Sequence, residues 1–292
     1  MESEHKHGNH RELPGHIAAA LAGAGGLTDS AGQPWAGRSL AGEDAKIHNF
    51  ENDDGTADAD YLAAVDRLQG GRGSEAEVVA SLATARVFIP IVAQLAEEAE
   101  QSNGLHADKQ ADMAMVTLKA PDGRTAMPVF TSSEALSAWH PTARPVAAYA
   151  ARAALSAVSE DAQLLVIDPG QAFTFVVRRP ALWSLAQQRE WTPSYLDAEV
   201  EASVREVAGG FPQIRGVGLS AGHGVYTKDA SGAVLPGGGA GPELCLELAL
   251  EDGLDAAAVQ SLVAGVQQNL ASNEVFAERV DSLELKLRRA QN

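Results

Sequence analysis

The sequence predicts an α+β fold: two α/β sandwich domains with mixed sheets, preceded by a flexible acidic N-terminal arm. Three observations carry that expectation. Short apolar runs of strand length alternate with helical patterns along most of the chain. Turn tripeptides separate several of the runs, as at Pro121-Asp122-Gly123 and Asp168-Pro169-Gly170. After about residue 190 a second order of elements begins, reading helix, strand, strand, helix, strand, which is a compact sandwich in its own right. At 292 residues, 45 % apolar and 21 % charged, the chain is long enough for one large domain or two small ones.

Four segments follow: residues 1–30 as a disordered tail, 31–73 as an acidic, Gly-rich arm and linker, 74–190 as a first domain and 191–292 as a second. The tail is rich in His, Gly and Ala and shows little periodicity. From Glu43 to Asp60 seven acids face Lys46 alone. Tyr61–Leu68 reads as a short helix with Asp60 as its cap, ended by Gly70, Gly71 and Gly73.

In the first domain, Ser74 followed by Glu77 has the spacing of a capping box, and Val78, Val79, Leu82 and Ala85 mark one helical face. Val87–Val92 is a strand that Pro90 should push to a sheet edge or a bulge. Met113–Leu118 and Thr125–Phe130 form a hairpin about Pro121-Asp122-Gly123. Ser132 or Ser133 caps a short helix carrying Leu136 and Trp139. Val146 begins a short strand, and Ala147–Val158 reads as an alanine-rich helix. Leu164–Ile167 and Phe173–Val177 are strands, and Pro180 opens a helix with Leu182 and Leu185 inward.

In the second domain, Ala198–Ala208 is a helix stopped by Gly209-Gly210. Ile214–Leu219 and Leu244–Leu250 are strands. Leu244, Leu246, Leu248 and Leu250 alternate with Glu243, Cys245, Glu247 and Ala249, the period of a half-buried strand. Asp255 caps a helix to about Leu270, and Leu283, Leu285 and Leu287 mark a last strand.

The charge balance of 22 − 39 = −17 excludes a nucleic-acid groove and an anionic membrane surface as partners. The longest apolar stretch, Ala85–Ala93, is interrupted by Arg86 and Pro90, far short of the roughly 20 residues a spanning helix needs. Ile17–Leu27 lacks a clean positive flank, so a cytoplasmic protein is expected. Cys245 is the single cysteine, so no intrachain disulfide forms.

Chemical motifs fare poorly. Gly218-Leu219-Ser220-Ala221-Gly222 matches G-x-S-x-G, and His223 follows it. A nucleophile elbow needs a helix directly after the serine, whereas the following residues read as strand and turn. A hydrolase built on Ser220 and His223 therefore stands as the alternative, with a buried acid behind His223 and a deep pocket as what would promote it. A small-molecule sensor between the two domains is a further alternative. Gly216-Val217-Gly218 lacks the helix of a dinucleotide fingerprint. Gly237–Gly241 lacks the Lys-Ser/Thr of a phosphate loop and reads as a flexible loop. Set on Gly55, a calcium loop would place Phe50 and Tyr61 at ligand positions, so that match fails. His5, His7, His10 and His16 have no scaffold. Cys245 lies between carboxylates, which disfavour a thiolate, and reads as a small packed residue beneath a helix. No catalytic residue, metal or cofactor is expected.

The candidate binding residues are Trp35, Gly37 and Arg38 with Asp53, Asp54 and Gly55. A Trp and an Arg within a polar, Gly-rich segment either anchor it to its own domain or dock a protein partner, since both residue types dominate binding hot spots. Excess acid favours a basic partner.

Several stretches resemble one family. They are Asp29–Arg38 with Asp53-Asp54-Gly55, Val78–Val92 around Ala85-Arg86, Asp108-Lys109 with Ala111–Ala114, Ala120–Arg124, Pro128–Ser132, Ala143–Val146 and Ile167–Gly170. They resemble actinobacterial SseB family proteins, with the SseB N-terminal domain in the first half and the less distinctive C-terminal region of those proteins at residues 200–290. The resemblance brings no catalytic residues. It implies a cytoplasmic interaction or regulatory protein rather than an enzyme.

Overall fold

The computed structural model describes residues 50, 53–95, 111–228 and 232–290. The described residues from Asp53 onward belong to one compact unit, and its main apolar clusters divide near Trp191. The first draws on residues 61–191 and the second on residues 195–285.

Helix α1 (Ala59–Gln69) starts from Asp58, not Asp60, because the Asp58 carboxylate accepts the N–H groups of Asp60 and Tyr61. Tyr61, Ala64 and Leu68 join the first core. The end of the segment expected as arm and linker is thus part of the domain. Helix α2 (Glu75–Leu82) begins as its spacing predicts, with Ser74 Oγ accepting from Glu77 N–H.

Strand β1 (Arg86–Leu95) is central, between β2 (Ala111–Met115) and β5 (Arg144–Tyr149), all antiparallel. The edge position expected from Pro90 is therefore corrected. Backbone phase explains it. Phe88 exchanges both its backbone bonds with Phe130, so Pro90, two residues on, also turns its backbone toward that side. The missing N–H falls just where the β2 ladder starts, and only the Pro90 carbonyl is used, by Val116 N–H. Pro145 stands opposite Pro90, its nitrogen toward the open edge of β5.

A four-stranded sheet, in the order β3-β4-β6-β7, follows from β3 (Leu118–Lys119), β4 (Thr125–Val129), β6 (Leu164–Ile167) and β7 (Phe175–Val177), with β4 and β6 parallel. The predicted hairpin holds between β3 and β4, but the run before it is split, since β2 pairs with β1. Met127, Val129, Leu165, Ile167, Phe175 and Val177 face the first core, and their neighbours Ala126, Leu164 and Val176 the opposite side. Helix α3 (Ser133–Trp139) is capped by Ser132. Helix α4 runs from Ala150 to Ser159, later than its alanines suggest, because Ala147 and Ala148 pair with Phe88 and Val87 in the sheet. Helix α5 (Arg179–Ala186) buries Leu182 and Leu185.

In the second half, α6 (Ala198–Gly209), α7 (Ala256–Ser272) and α8 (Glu274–Arg279) cover one face of a sheet in the order β12-β11-β8. Its strands are β8 (Ile214–Ala221), β11 (Leu244–Leu250) and β12 (Leu283–Arg289), β11 running antiparallel to β8 and parallel to β12. A hairpin of β9 (Tyr226–Lys228) and β10 (Val234–Gly238) inserts between β8 and β11. Helix α8 has no strong sequence signal beyond Asn273, whose side chain caps it at Phe276 N–H. Strand β11 is more enclosed than its alternation predicts. Cys245 is 2 % exposed, in register with Ser220 and Glu284 on the face away from the helices rather than beneath one.

Polar ties join the halves. Arg124 reaches Asp281 at 2.8 Å and the Ala240 carbonyl at 2.9 Å. Arg179 donates to the carbonyls of Ala277 and Val280, both at 2.9 Å. Deepest is the pair of Arg178 with Glu75 at 3.2 Å, with side chains 1 % and 2 % exposed. Glu75 also accepts Gly238 N–H at 2.9 Å, and Arg178 donates to the Gly224 carbonyl. Gly237, Gly238 and Gly239 are buried here, and Gly239 N–H bonds Val225. The flexible loop expected at Gly237–Gly241 is instead a close-packed joint, because residues without side chains let backbones meet.

Candidate functional site

The acidic run ends in a series of side-chain turns. Asp53 Oδ1 accepts Gly55 N–H at 2.8 Å, and Asp54 Oδ1 accepts Thr56 N–H at 2.9 Å and its hydroxyl at 2.6 Å. Gly55 has φ +78°, a conformation that favours glycine, and a Cβ there would lie 2.6 Å from Ser133 Oγ and push that hydroxyl aside. Its carbonyl accepts Ser133 N–H at 2.9 Å, which fastens the run to the first turn of α3.

Arg86, at the start of β1, closes this clasp. Its guanidinium donates to both Asp53 oxygens and to the carbonyls of Thr56 and Thr131, and it stacks 4.1 Å from the centre of the Phe88 ring. Behind it, Asp168 accepts Thr131 N–H at 2.8 Å and its hydroxyl at 2.7 Å. Hydrogen bonding from Arg86 holds the Asp53 carboxyl below its ordinary value, whereas burial pushes Asp168 up. The buried Asp168 carboxyl and the charged Arg86 guanidinium meet at Thr131, which donates to the first and accepts from the second.

Asp53 and Gly55 are therefore engaged within the chain, and Asp54 presents its carboxylate to solvent. Trp35, Gly37 and Arg38 lie outside the described residues. No sequence motif marks Arg86, Thr131, Ser133 or Asp168 as site residues. The usable signal is the lone charge of Arg86 at the head of an apolar strand.

The clasp has a pH signature. A depressed carboxyl contributes stability that is present above its ordinary value of 3.8 and lost as pH falls below it. Arg86→Ala is expected to cost about 2–3 kcal/mol near neutral pH. That difference from wild type should shrink in urea titrations taken below about pH 4.

The second candidate lies around Ser220. Ser220 is an exposed residue within β8, paired to Cys245, and the chain continues as strand to Ala221. A 3-10 turn at His223–Val225 follows, not the helix of a nucleophile elbow. An acid does stand behind His223: Glu284 lies 2.8 Å from Nδ1 and accepts the His223 backbone N–H at 3.0 Å. That N–H bond, then the imidazole and Lys286, hold the Glu284 carboxyl down to about 2. The imidazole is 75 % exposed, and among the described residues no hydrogen bond joins it to Ser220.

Among the described residues no group of three or more His, Cys, Asp or Glu could hold a metal ion, and no helix is long and apolar enough to cross a membrane. A cleft of about 420 Å³ opens on the ends of α6 and α7, lined by Glu206, Phe211, Asn269 and Asn273. It is not between the halves.

Residues 62–184 match the family model described as the SseB protein N-terminal domain. No curated protein and no solved structure matches the chain.

Proposed function

From the premise that this chain contains an SseB N-terminal domain at residues 62–184, we propose that it works as a cytoplasmic, non-enzymatic protein-binding or regulatory module. The observation that carries this reading is the Arg86 clasp. It fixes the end of the most acidic run of the chain to a rigid sheet and leaves Asp54 facing solvent. Between Glu43 and Asp60 seven acids against one lysine supply 7 − 1 = 6 of the net negative charges. A segment so charged, held at one end, steers a basic protein toward the domain. Trp35 and Arg38 upstream are the hot-spot types that would lock such an encounter.

The test is a pull-down from native lysate with the full chain and with Trp35→Ala/Arg38→Ala. A partner retained by wild type and lost by the double variant is expected. No specific partner, or one indifferent to both substitutions, overturns the docking reading. One observation favours a second reading, hydrolysis at Ser220: the Glu284 carboxylate behind His223. Labelling by a fluorophosphonate probe that Ser220→Ala abolishes would establish it, and no labelling is expected.

A further inference from the structure

The sheet of the second half ends on β12 at one side and β8 at the other. Sheet edges attract other strands, and chains blunt them with charge, proline or brevity. Strand β12 carries Lys286, Arg288 and Arg289. Strand β5 contains Pro145, and β3 and β7 are two and three residues long. Strand β8 has none of these defences. It is eight residues long, without proline or lysine, and Arg215 is its single charge, already paired with Glu251.

Its backbone phase can be read off. Gly222 N–H bonds the Glu243 carbonyl, so Ser220 and Gly218, opposite Cys245 and Glu247, exchange their bonds with β11. The N–H and C=O groups of Val217, Leu219 and Ala221 therefore point out of the sheet edge. Among the described residues no backbone group outside β11 bonds them. On the helix side Val217 and Leu219 are only partly buried, so the second core is left open along this edge.

We propose that β8 is a self-association edge: two copies pair antiparallel through it, about a two-fold axis at Gly218. In that register Val217 faces Leu219 of the partner subunit, and the open seam of each core is closed by the other. Arg215 falls opposite Ala221 of the partner subunit, so no like charges meet. Charge selects the occupant. In a chain of net charge −17, β8 carries no acid. The carboxylates beside it, Glu247 and Glu251, are each paired with an arginine, Arg288 and Arg215, so two acidic copies approach here with little local repulsion.

The test measures the mass of the full chain in solution by light scattering up to about 100 μM. Twice the 30.4 kDa chain mass is expected. Leu219→Pro removes an outward N–H and none of the bonds to β11, so it should weaken association at least about tenfold while circular dichroism is unchanged. Gly218→Cys gives a second readout independent of that fold. Among the described residues a Cβ there meets only Glu247 Cβ, at 3.8 Å, and facing cysteines across the two-fold lie within disulfide reach. Mild oxidation should crosslink Gly218→Cys and not Gly209→Cys. A wild-type chain that stays monomeric overturns the proposal, including when Leu219→Pro abolishes capture of another protein, which would assign the edge to a partner's strand. A dimer that Gly218→Cys fails to crosslink overturns it as well.

Discussion

Glu75→Gln is expected to destabilise the fold by about 3–5 kcal/mol. The substitution keeps the shape of the side chain and removes the charge that faces Arg178, whose guanidinium is 1 % exposed. An unpaired buried cation is costly because water is replaced by a medium that screens poorly. The site has little slack. Among the described residues Arg178 Nε has no partner, and Glu75 also serves Gly238 N–H. With a urea slope of about 1–3 kcal/mol per molar, the midpoint should fall by at least about 1 M. The exposed pair of Arg67 and Glu77, each 46 % exposed, is the control, and Glu77→Gln should change stability by no more than about 1 kcal/mol. Glu75→Leu with Arg178→Met should recover part of the loss by removing both charges. Recovery should be incomplete, since Gly238 N–H then loses its acceptor. A Glu75→Gln midpoint within error of wild type would show that water reaches the pair.

Gly224→Ala should be as severe, by another route. A Cβ at this position would lie 2.0 Å from the carbonyl carbon of Gly241 and 2.2 Å from the nitrogen of Pro242. Both are backbone atoms, so no side chain can rotate away. The backbone is also held on both sides. Gly224 N–H bonds the Pro242 carbonyl at 3.0 Å, and the Gly224 carbonyl accepts from Arg178. A loss of more than about 4 kcal/mol is expected, seen as a large fall in melting temperature or as insoluble expression. Gly209→Ala is the matched control. Among the described residues nothing lies within 4 Å of its added Cβ, and alanine at a helix end should be neutral or stabilising by up to about 1 kcal/mol. Equal effects from the two substitutions would refute the close approach at Gly224.

Local chemistry was legible in the sequence wherever a side chain acts within a few residues of itself. Ser74, Ser132 and Asp255 cap helices as their spacing predicts. Asp168-Pro169-Gly170 turns between β6 and β7, with Asp168 itself in the left-handed region. The family likeness over the first half is matched over residues 62–184. What escaped were features set by distant partners. Pro90 is tolerated in a central strand only because Phe130, forty residues on, sets the phase of β1. Ala147 and Ala148 favour a helix by composition and are held as strand by Val87 and Phe88. Glu75 and Arg178 are separated by 103 positions, and neither stands out from its neighbours. Of the candidate site, Asp53 and Gly55 could be picked out, but not Arg86, which holds them.

The joint at Glu75 also orders events in time. Arg178 leaves the ribosome well before Gly238, and at about 5–20 residues per second the sixty residues between them take roughly 3–12 s to make. Once α5 and Trp191 have followed, the first half has all of its own strands and helices, yet the acceptor awaiting Gly238 N–H is still wet. A carboxylate and a guanidinium in water are comfortable and soluble. The nascent first half therefore presents, beside Leu68 and Phe175, a hydrated ion pair at the surface that will later be sealed. A charged seam of this kind resists premature contact with neighbouring nascent chains. It delays the loss of hydration until the glycines that complete the joint have been synthesised.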